Sequence, residues 1–233
     1  MKVDVLVFGA HPDDVELGCG GTVIKLVEQG GKVGIIDLTR GELGTRGTAE
    51  TRKEECENAT KILGVRVREN MNFKDGFFEN DEGHKLALIK KIRDYQPEIV
   101  IANAPSDRHP DHGRASQIVV DACFLSGLEK VDTKQKVWRP KAIYHYIQFN
   151  HLQPDFVIDI SGQMEKKIEA VKAYKTQFFN ADSKETETII SKKGFLESVK
   201  YRAKDLGRLS NCEFAEGFIS HQMLKVDSFF DIK

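Results

Sequence analysis

Apolar residues along this chain fall into two alternating patterns. Continuous apolar runs at 3–8 (broken by Asp4), 33–38 and 99–102 read as buried strands, and a weaker run at 65–70 reads as another. Between them, apolar positions recur at helical spacing. They include Val15, Val23, Leu26 and Val27 after the first run, and a helical stretch at 49–63 after the second. Leu86, Ile89 and Ile92 mark a helix over 82–95, and Ile118, Val119, Ala122 and Cys123 share one face of a helix that starts near His109 or Pro110. The boundaries carry their own signals. Gly30-Gly31 ends the first helix, Thr48 is placed to cap the second, Gly64 closes it, and Pro97 stops the third. Strand–helix alternation with apolar strands predicts an α/β fold: a Rossmann-like, doubly wound, mostly parallel sheet with helices on both faces.

From Trp138 the rhythm changes. Runs at 142–148 and 156–160 read as strands in near succession, which predicts an appended hairpin or edge extension. Helices are expected at about 164–173 and 195–206, a polar and mobile loop at 180–188, and a returning strand at 213–218, so the C-terminal part is a strand/helix extension. The cluster Gly18-Cys19-Gly20-Gly21 falls inside the first helix. Glycine costs helix stability there, so it is expected to permit close packing or approach of the backbone to a site. A phosphate cradle fits less well, because the glycines follow the turn and no Lys-Ser/Thr pair comes after them.

Composition narrows the class. The chain has 233 residues, 40% hydrophobic and 30% charged, which suits one globular domain over 1–233. A net charge of −1 gives no bulk electrostatic case for nucleic acid or an anionic membrane. No apolar run approaches the ~20 residues of a membrane span, and the N-terminus has no signal-like pattern, so a cytoplasmic protein is expected. The cysteines, Cys19, Cys56, Cys123 and Cys212, are scattered. That spacing argues against a zinc ribbon or disulfide framework and for small hydrophobic side chains in the body.

Candidate chemistry sits at two strand tips. Gly9-Ala10-His11-Pro12-Asp13-Asp14-Val15-Glu16 follows the first strand, and Asp107-Arg108-His109-Pro110-Asp111-His112 follows the strand at 99–102. Ligands of open α/β sheets bind at such tips. One His-Pro-Asp is more often a surface turn; two in equivalent places argue for one shared site. His11, Asp14 and His112 supply two imidazoles and a carboxylate, the three-ligand set of a catalytic zinc, with iron or manganese as alternatives. The remaining position would hold a water whose pKa zinc lowers towards ~7. Asp13 is placed as general base, although spacing alone leaves the division of roles between Asp13 and Asp14 open. His109 is placed to stabilise an oxyanion or protonate a leaving amine, with Asp111 orienting it. His84 reads as a surface helix residue, His145 and His151 are ambiguous, and His221 is either near the site or exposed. A two-metal phosphatase or nuclease would show more carboxylates.

These two motifs resemble the LmbE/PIG-L-like family of zinc-dependent N-acetylglucosamine deacetylases. Within it the chain is most similar to the bacillithiol-biosynthesis branch. The similarity lies in Asp37-Leu38-Thr39-Arg40-Gly41-Glu42-Leu43-Gly44-Thr45-Arg46-Gly47-Thr48, Arg52-Lys53-Glu54-Glu55 and Ala173-Tyr174-Lys175-Thr176-Gln177-Phe178, besides the second His motif. The resemblance implies removal of acetate from N-acetylglucosaminyl-malate, with His11, Asp14 and His112 on zinc and Asp13 as base. It implies His109 as acid or oxyanion partner oriented by Asp111, and Arg52 on a sugar hydroxyl. It also implies a homo-oligomer, which in relatives of this type is often a hexamer. No tyrosine is carried over near the second motif, where Asp107 and Arg108 stand. A malate aglycone is a dianion, which guanidinium groups suit. Arg108 or Arg46 is expected to meet it, although Arg40 and Arg46 are each also consistent with a solvated or structural side chain. Free N-acetylglucosamine, a chitobiose-type disaccharide or a thiol conjugate are the alternative substrates.

Overall fold

A single sheet of seven strands runs through the computed structural model, which describes residues 1–231. Its strands are β1 (Val5–Gly9), β2 (Val33–Thr39), β3 (Val67–Phe73), β4 (Ile99–Ala102), β5 (Ala142–Tyr146), β6 (Phe156–Asp159) and β7 (Ala215–Ser220). The helices are α1 (Asp14–Glu28), α2 (Ala49–Leu63), α3 (Glu82–Tyr95), α4 (Pro110–Ser126), α5 (Met164–Lys172) and α6 (Phe195–Leu209). Strand order is β3-β2-β1-β4-β5-β7-β6. The first five strands are parallel, as the alternation predicts, with Val5 opposite both Val33 and Ile99.

Side-chain alternation along β1 explains why both faces need helices. Leu6 and Phe8 join a core formed with Leu88, Ile89 and Ile92 of α3 and Ile118 and Val119 of α4. Val5 and Val7 join the opposite core, with Val15, Val23 and Ile24 of α1 and Leu63 of α2. Thr48 forms the expected cap: its side chain accepts from the Thr51 N–H, and Thr51 reciprocates. Gly64 ends α2 at φ 71°.

The expected hairpin of β5 and β6 is not formed. β7 lies between them and runs antiparallel to each, so β5 and β6 point the same way. Residues 147–155 therefore return the chain to the other end of the sheet instead of making a tight turn. Periodicity reports a strand's buried face but not its partner, which is why the pattern marks β7 as a strand without giving its place.

The glycine cluster is a packing device. A Cβ on Gly18 would lie 2.1 Å from Tyr146 Cδ2, and one on Gly21 would lie 2.7 Å from Ile160 Cδ1. The helix itself breaks at Cys19 (φ −144°, ψ 23°). Glu216 of β7 repairs the break: its carboxylate accepts the N–H groups of Gly21 (3.0 Å) and Thr22 (2.7 Å) and pairs with buried Lys167. All four cysteines are free, two buried and two half-buried. No helix among the described residues is long and apolar enough to cross a membrane. Gly18→Ala should cost about 1–3 kcal/mol by overpacking against Tyr146, read as a fall in Tm of several degrees. Gly162→Ala, at a position with open space around it, should leave Tm nearly unchanged.

Candidate functional site

The winding of the sheet reverses between β1 and β4. α1 leaves one strand over one face, and α4 leaves its neighbour over the other, which opens a crevice at their carboxyl ends. Both His/Asp motifs lie there. Asp14, almost fully buried, is the hub. It accepts the backbone N–H of His11 (2.9 Å), the side-chain amide of Asn103 (3.1 Å) and that of Gln148 (2.7 Å). His112 Nε2 stands 3.1 Å from its Oδ1, and His11 Nδ1 stands 3.5 Å from its Oδ2.

Each of these histidines is held by carboxylate on its other nitrogen. His112 Nδ1 lies 2.9 Å from Asp107 Oδ2. His11 Nε2 lies 3.1 Å from Asp75 and 3.3 Å from Asp111. Such anchoring orients the ring and leaves the second nitrogen to a metal. Ligand atoms bound tetrahedrally at about 2.0–2.1 Å from one ion lie about 3.4 Å apart; the Asp14–His112 and Asp14–His11 separations are of that size, each to a different oxygen of Asp14. Two imidazoles and a carboxylate here are donors of the kind that suit a divalent metal. Two groupings of possible metal ligands share His11: its ring with those of His109 and His112, and its ring with Asp75 and Asp111, each group's ligand atoms lying within 4.8 Å of one another.

The electrostatics are those of a cation site. Burial disfavours charge on His11, but Asp111, Asp14 and Asp75 outweigh it and raise its pKa well above that of free imidazole. Burial acts likewise on His112, and Asp14 and Asp107 raise it to about 9. Asp14 is buried too, yet His112 and His11 hold it well below the carboxylate range. A metal exploits the same negative field by displacing protons.

Asp13 occupies a backbone conformation with φ +117°. A left-handed geometry outside glycine costs about 1–3 kcal/mol, and here it turns Asp13 and Asp14 to different partners. Asp13 lines the cavity and accepts from Arg52 Nη2 at 2.6 Å. Arg52 also donates to the Pro12 carbonyl. Burial lifts the Asp13 carboxyl to about 6, against the opposing pull of Arg52. The loop after β2 wraps Arg52 closely. A Cβ on Gly41, at φ +65°, would meet its Nη1 at 2.7 Å.

Two expected placements change. Asp111 does not orient His109: its carboxylate faces His11, the Gly76 N–H (2.9 Å) and Arg114 (3.1 Å). His109 caps α4 instead, its Nδ1 accepting the Asp111 N–H at 3.3 Å. Burial, followed by the His11 and His112 rings, lowers the His109 pKa. Arg46 does not line the cavity. Its Nε donates to the Thr176 carbonyl (2.7 Å) and it pairs loosely with Glu185 (3.8 Å), which ties the β2 loop to the segment after α5. Glu16, at the end of the first motif, is engaged by Arg68 and Tyr174 inside the fold. Arg108 does line the cavity, with its guanidinium 4.8 Å from the Phe149 ring centre. His84 is half-exposed beside Asp81, His145 is buried against Ser116 and the Asn103 carbonyl, and His151 and His221 are exposed. Asp75, Asn103, Gln148 and Arg202 enter the site without a motif to mark them. Asp75 alone carries a local hint, as an acid in a turn after a strand.

Residues 6–123 match the family PIG-L, GlcNAc-PI de-N-acetylase. The chain belongs to this family. A diacetylchitobiose deacetylase from Thermococcus kodakarensis is 30% identical over 186 residues, 75% of this chain and 70% of that protein. A probable N-acetyl-alpha-D-glucosaminyl L-malate deacetylase 2 from Bacillus anthracis is 26% identical over 187 residues, 75% of this chain and 81% of that protein. The crystal structure of a conserved protein from Thermus thermophilus superposes with a TM-score of 0.88 at 36% identity, covering 97% of this chain and 98% of that one.

The anchoring geometry makes a graded prediction. His112→Ala should abolish stoichiometric metal retention, while Asp107→Ala should weaken metal affinity about 10–100-fold by freeing the ring. Metal content after dialysis against a competing chelator reads both. Equal retention by wild type and Asp107→Ala would show that the Asp107 contact does not support a ligand.

Proposed function

We propose that the protein hydrolyses the acetamide of an N-acetylglucosaminide, and that its substrate is N-acetylglucosaminyl-malate, giving glucosaminyl-malate and acetate as a step of bacillithiol biosynthesis. The observation that carries this reading is the buried Asp14 hub, flanked by two carboxylate-anchored histidines, with Asp13 beside it in a strained conformation. Zinc is the metal we assign to His11, Asp14 and His112, with iron or manganese as alternatives. When bound, such an ion supplies Lewis-acid polarisation of the amide carbonyl and a more acidic attacking water.

The chain's own groups do the rest. Asp13, raised by burial to about 6, takes a proton from the attacking water. The new C–O bond forms as the amide C–N bond breaks, and Asp13 returns that proton to the departing amine nitrogen. His109 accepts the Asp111 N–H at Nδ1, so in its neutral form Nε2 carries the hydrogen and serves as donor to the developing oxyanion. Arg52 fixes Asp13 and presents the rest of its guanidinium to the sugar. Arg108, in no ion pair among the described residues, supports an anionic aglycone. The likeness to the Bacillus anthracis protein supports malate, and that to the Thermococcus kodakarensis protein supports a disaccharide as the competing substrate. Exposed Met223, Phe229 and Phe230 support self-association, and the free cysteines support a reducing, cytoplasmic setting.

Release of primary amine from N-acetylglucosaminyl-malate, diacetylchitobiose and free N-acetylglucosamine tests the assignment. The malate conjugate should turn over fastest, and Asp13→Asn should lower its kcat by about 10²–10⁴ with metal content unchanged. Faster turnover of diacetylchitobiose would move the protein to disaccharide deacetylation.

A further inference from the structure

Among the buried or half-buried arginines of the described residues, Arg202 of α6 has the weakest recorded contact, although Arg46 also keeps a buried Nη2 without a partner. Arg52 is paired with Asp13, and Arg68 with Glu16 and Asp37. Arg46 donates to the Thr176 carbonyl, and Arg93 to three backbone carbonyls and Thr133. Arg114 meets Asp111 and two carbonyls. Arg202 makes one contact, Nη2 to the Leu17 carbonyl, at the 3.5 Å limit of a hydrogen bond. The nearby carboxylates are already engaged. Glu216 serves Lys167 and the Gly21 and Thr22 N–H groups. Asp107 serves His112 and the N–H groups of Arg108, Phe149 and Asn150.

A half-buried guanidinium with one weak contact is open to an anion that approaches it. Arg202 lines the cavity of about 350 Å³ that contains His11, Asp13, His109 and His112. It shares that wall with Arg108, Phe149 and Phe195. Burial lowers the Arg202 pKa, and Glu216 and Asp107 only partly oppose it. The same cavity is lined by apolar Leu17, Ile190, Phe195 and Val199, with polar Gln148, Gln177 and Thr188. A planar guanidinium is suited to a carboxylate, which it can grip with two parallel hydrogen bonds.

We propose that Arg202 is a specificity-determining residue that receives a carboxylate of the substrate's aglycone, with Arg108 closing on the same anion from the cavity mouth. This rests on the deacetylase reading above and replaces Arg46 as the second arginine of the aglycone site. It makes no demand on the metal, because Arg202 acts on the part of the substrate remote from the amide.

The experiment uses full-length, metal-loaded protein and its Arg202→Gln and Arg202→Lys variants. Three N-acetylglucosaminides are compared: the malate, the methyl and the 1-phosphate. For the malate conjugate, Arg202→Gln should raise KM about 10–100-fold with kcat within about threefold, the loss expected for a charged hydrogen bond. The methyl glycoside should be unaffected, and Arg202→Lys should recover part of the loss. A greater loss for the phosphate than for the malate conjugate would overturn the choice of carboxylate. Equal losses for malate and methyl substrates, or none, would overturn the proposal, as would a collapse of Tm in both variants. Calorimetric binding of glucosaminyl-malate separates this proposal from the reading it rests on. Should wild type turn over no amide yet bind the malate compound more tightly than Arg202→Gln does, the subsite stands and the deacetylase reading falls. If wild type does not bind it, the subsite falls.

Discussion

β4 pairs with the open edge of β1, not with β3, and that choice brings residues a hundred positions apart into one crevice. His11 and Asp14 leave the tip of β1; Asn103, Asp107, His109, Asp111 and His112 leave the tip of β4. Parallel pairing keeps both tips at the same end of the sheet. Reversal of winding sends α1 and α4 to opposite faces, so neither helix covers the gap. The loops after β2 and β3 then close the sides with Arg52's surroundings and with Asp75. Asn103 records how tightly the two tips are joined: its carbonyl oxygen Oδ1 accepts the Ala10 N–H at 3.0 Å, and its amide donates to Asp14 at 3.1 Å.

Charge supplies the second constraint. Asp13, Asp14, Asp75, Asp107 and Asp111 crowd one region, answered within the protein by Arg52 and Arg114. Like charges so near one another are tolerable only with positive charge between them. Protons on His11 and His112 meet that need, and a bound divalent cation would meet it equally. The strained backbone of Asp13 belongs to the same balance. By turning away from Asp14 it reaches Arg52, which spares the hub a direct carboxylate neighbour. The fold thus accepts conformational strain at one residue to keep two adjacent carboxylates in separate environments, one held ionised and the other raised to about 6.

Much of this was legible locally. Apolar runs reveal strands, and His and Asp at their tips reveal where chemistry can gather, because both signals are written within a few residues. Partner choice was not. Asp111 lies two residues from His109, which made their pairing natural to expect, yet the start of α4 turns its N–H to His109 and its carboxylate towards His11. Arg46 sits in the right loop and points to Thr176. Asp75 meets His11 across 64 positions, a separation at which no periodicity speaks. The insertion of β7 between β5 and β6 is the same kind of event at the scale of the sheet.

That insertion also decides how the His/Asp cluster and the facing cavity wall are divided along the chain. The stretch matching the family, 6–123, contains His11, Asp13, Asp14, Arg52, Asp75, His109 and His112. The facing wall, with Gln148, Phe149, Ile190, Phe195 and Arg202, comes from later residues. β7 is what ties the two together. It packs against α6, and its Glu216 caps the broken α1 only a few residues beyond Asp14. Had β5 and β6 formed the simple hairpin, Glu216 would have no strand position beside α1, and α6 would lack the strand it packs on. Substitutions along α6 can therefore reshape what the cavity admits while the hub at Asp14, held by β1 and β4, keeps its geometry. Relatives of 25–30% identity that act on different aglycones are what such an arrangement permits.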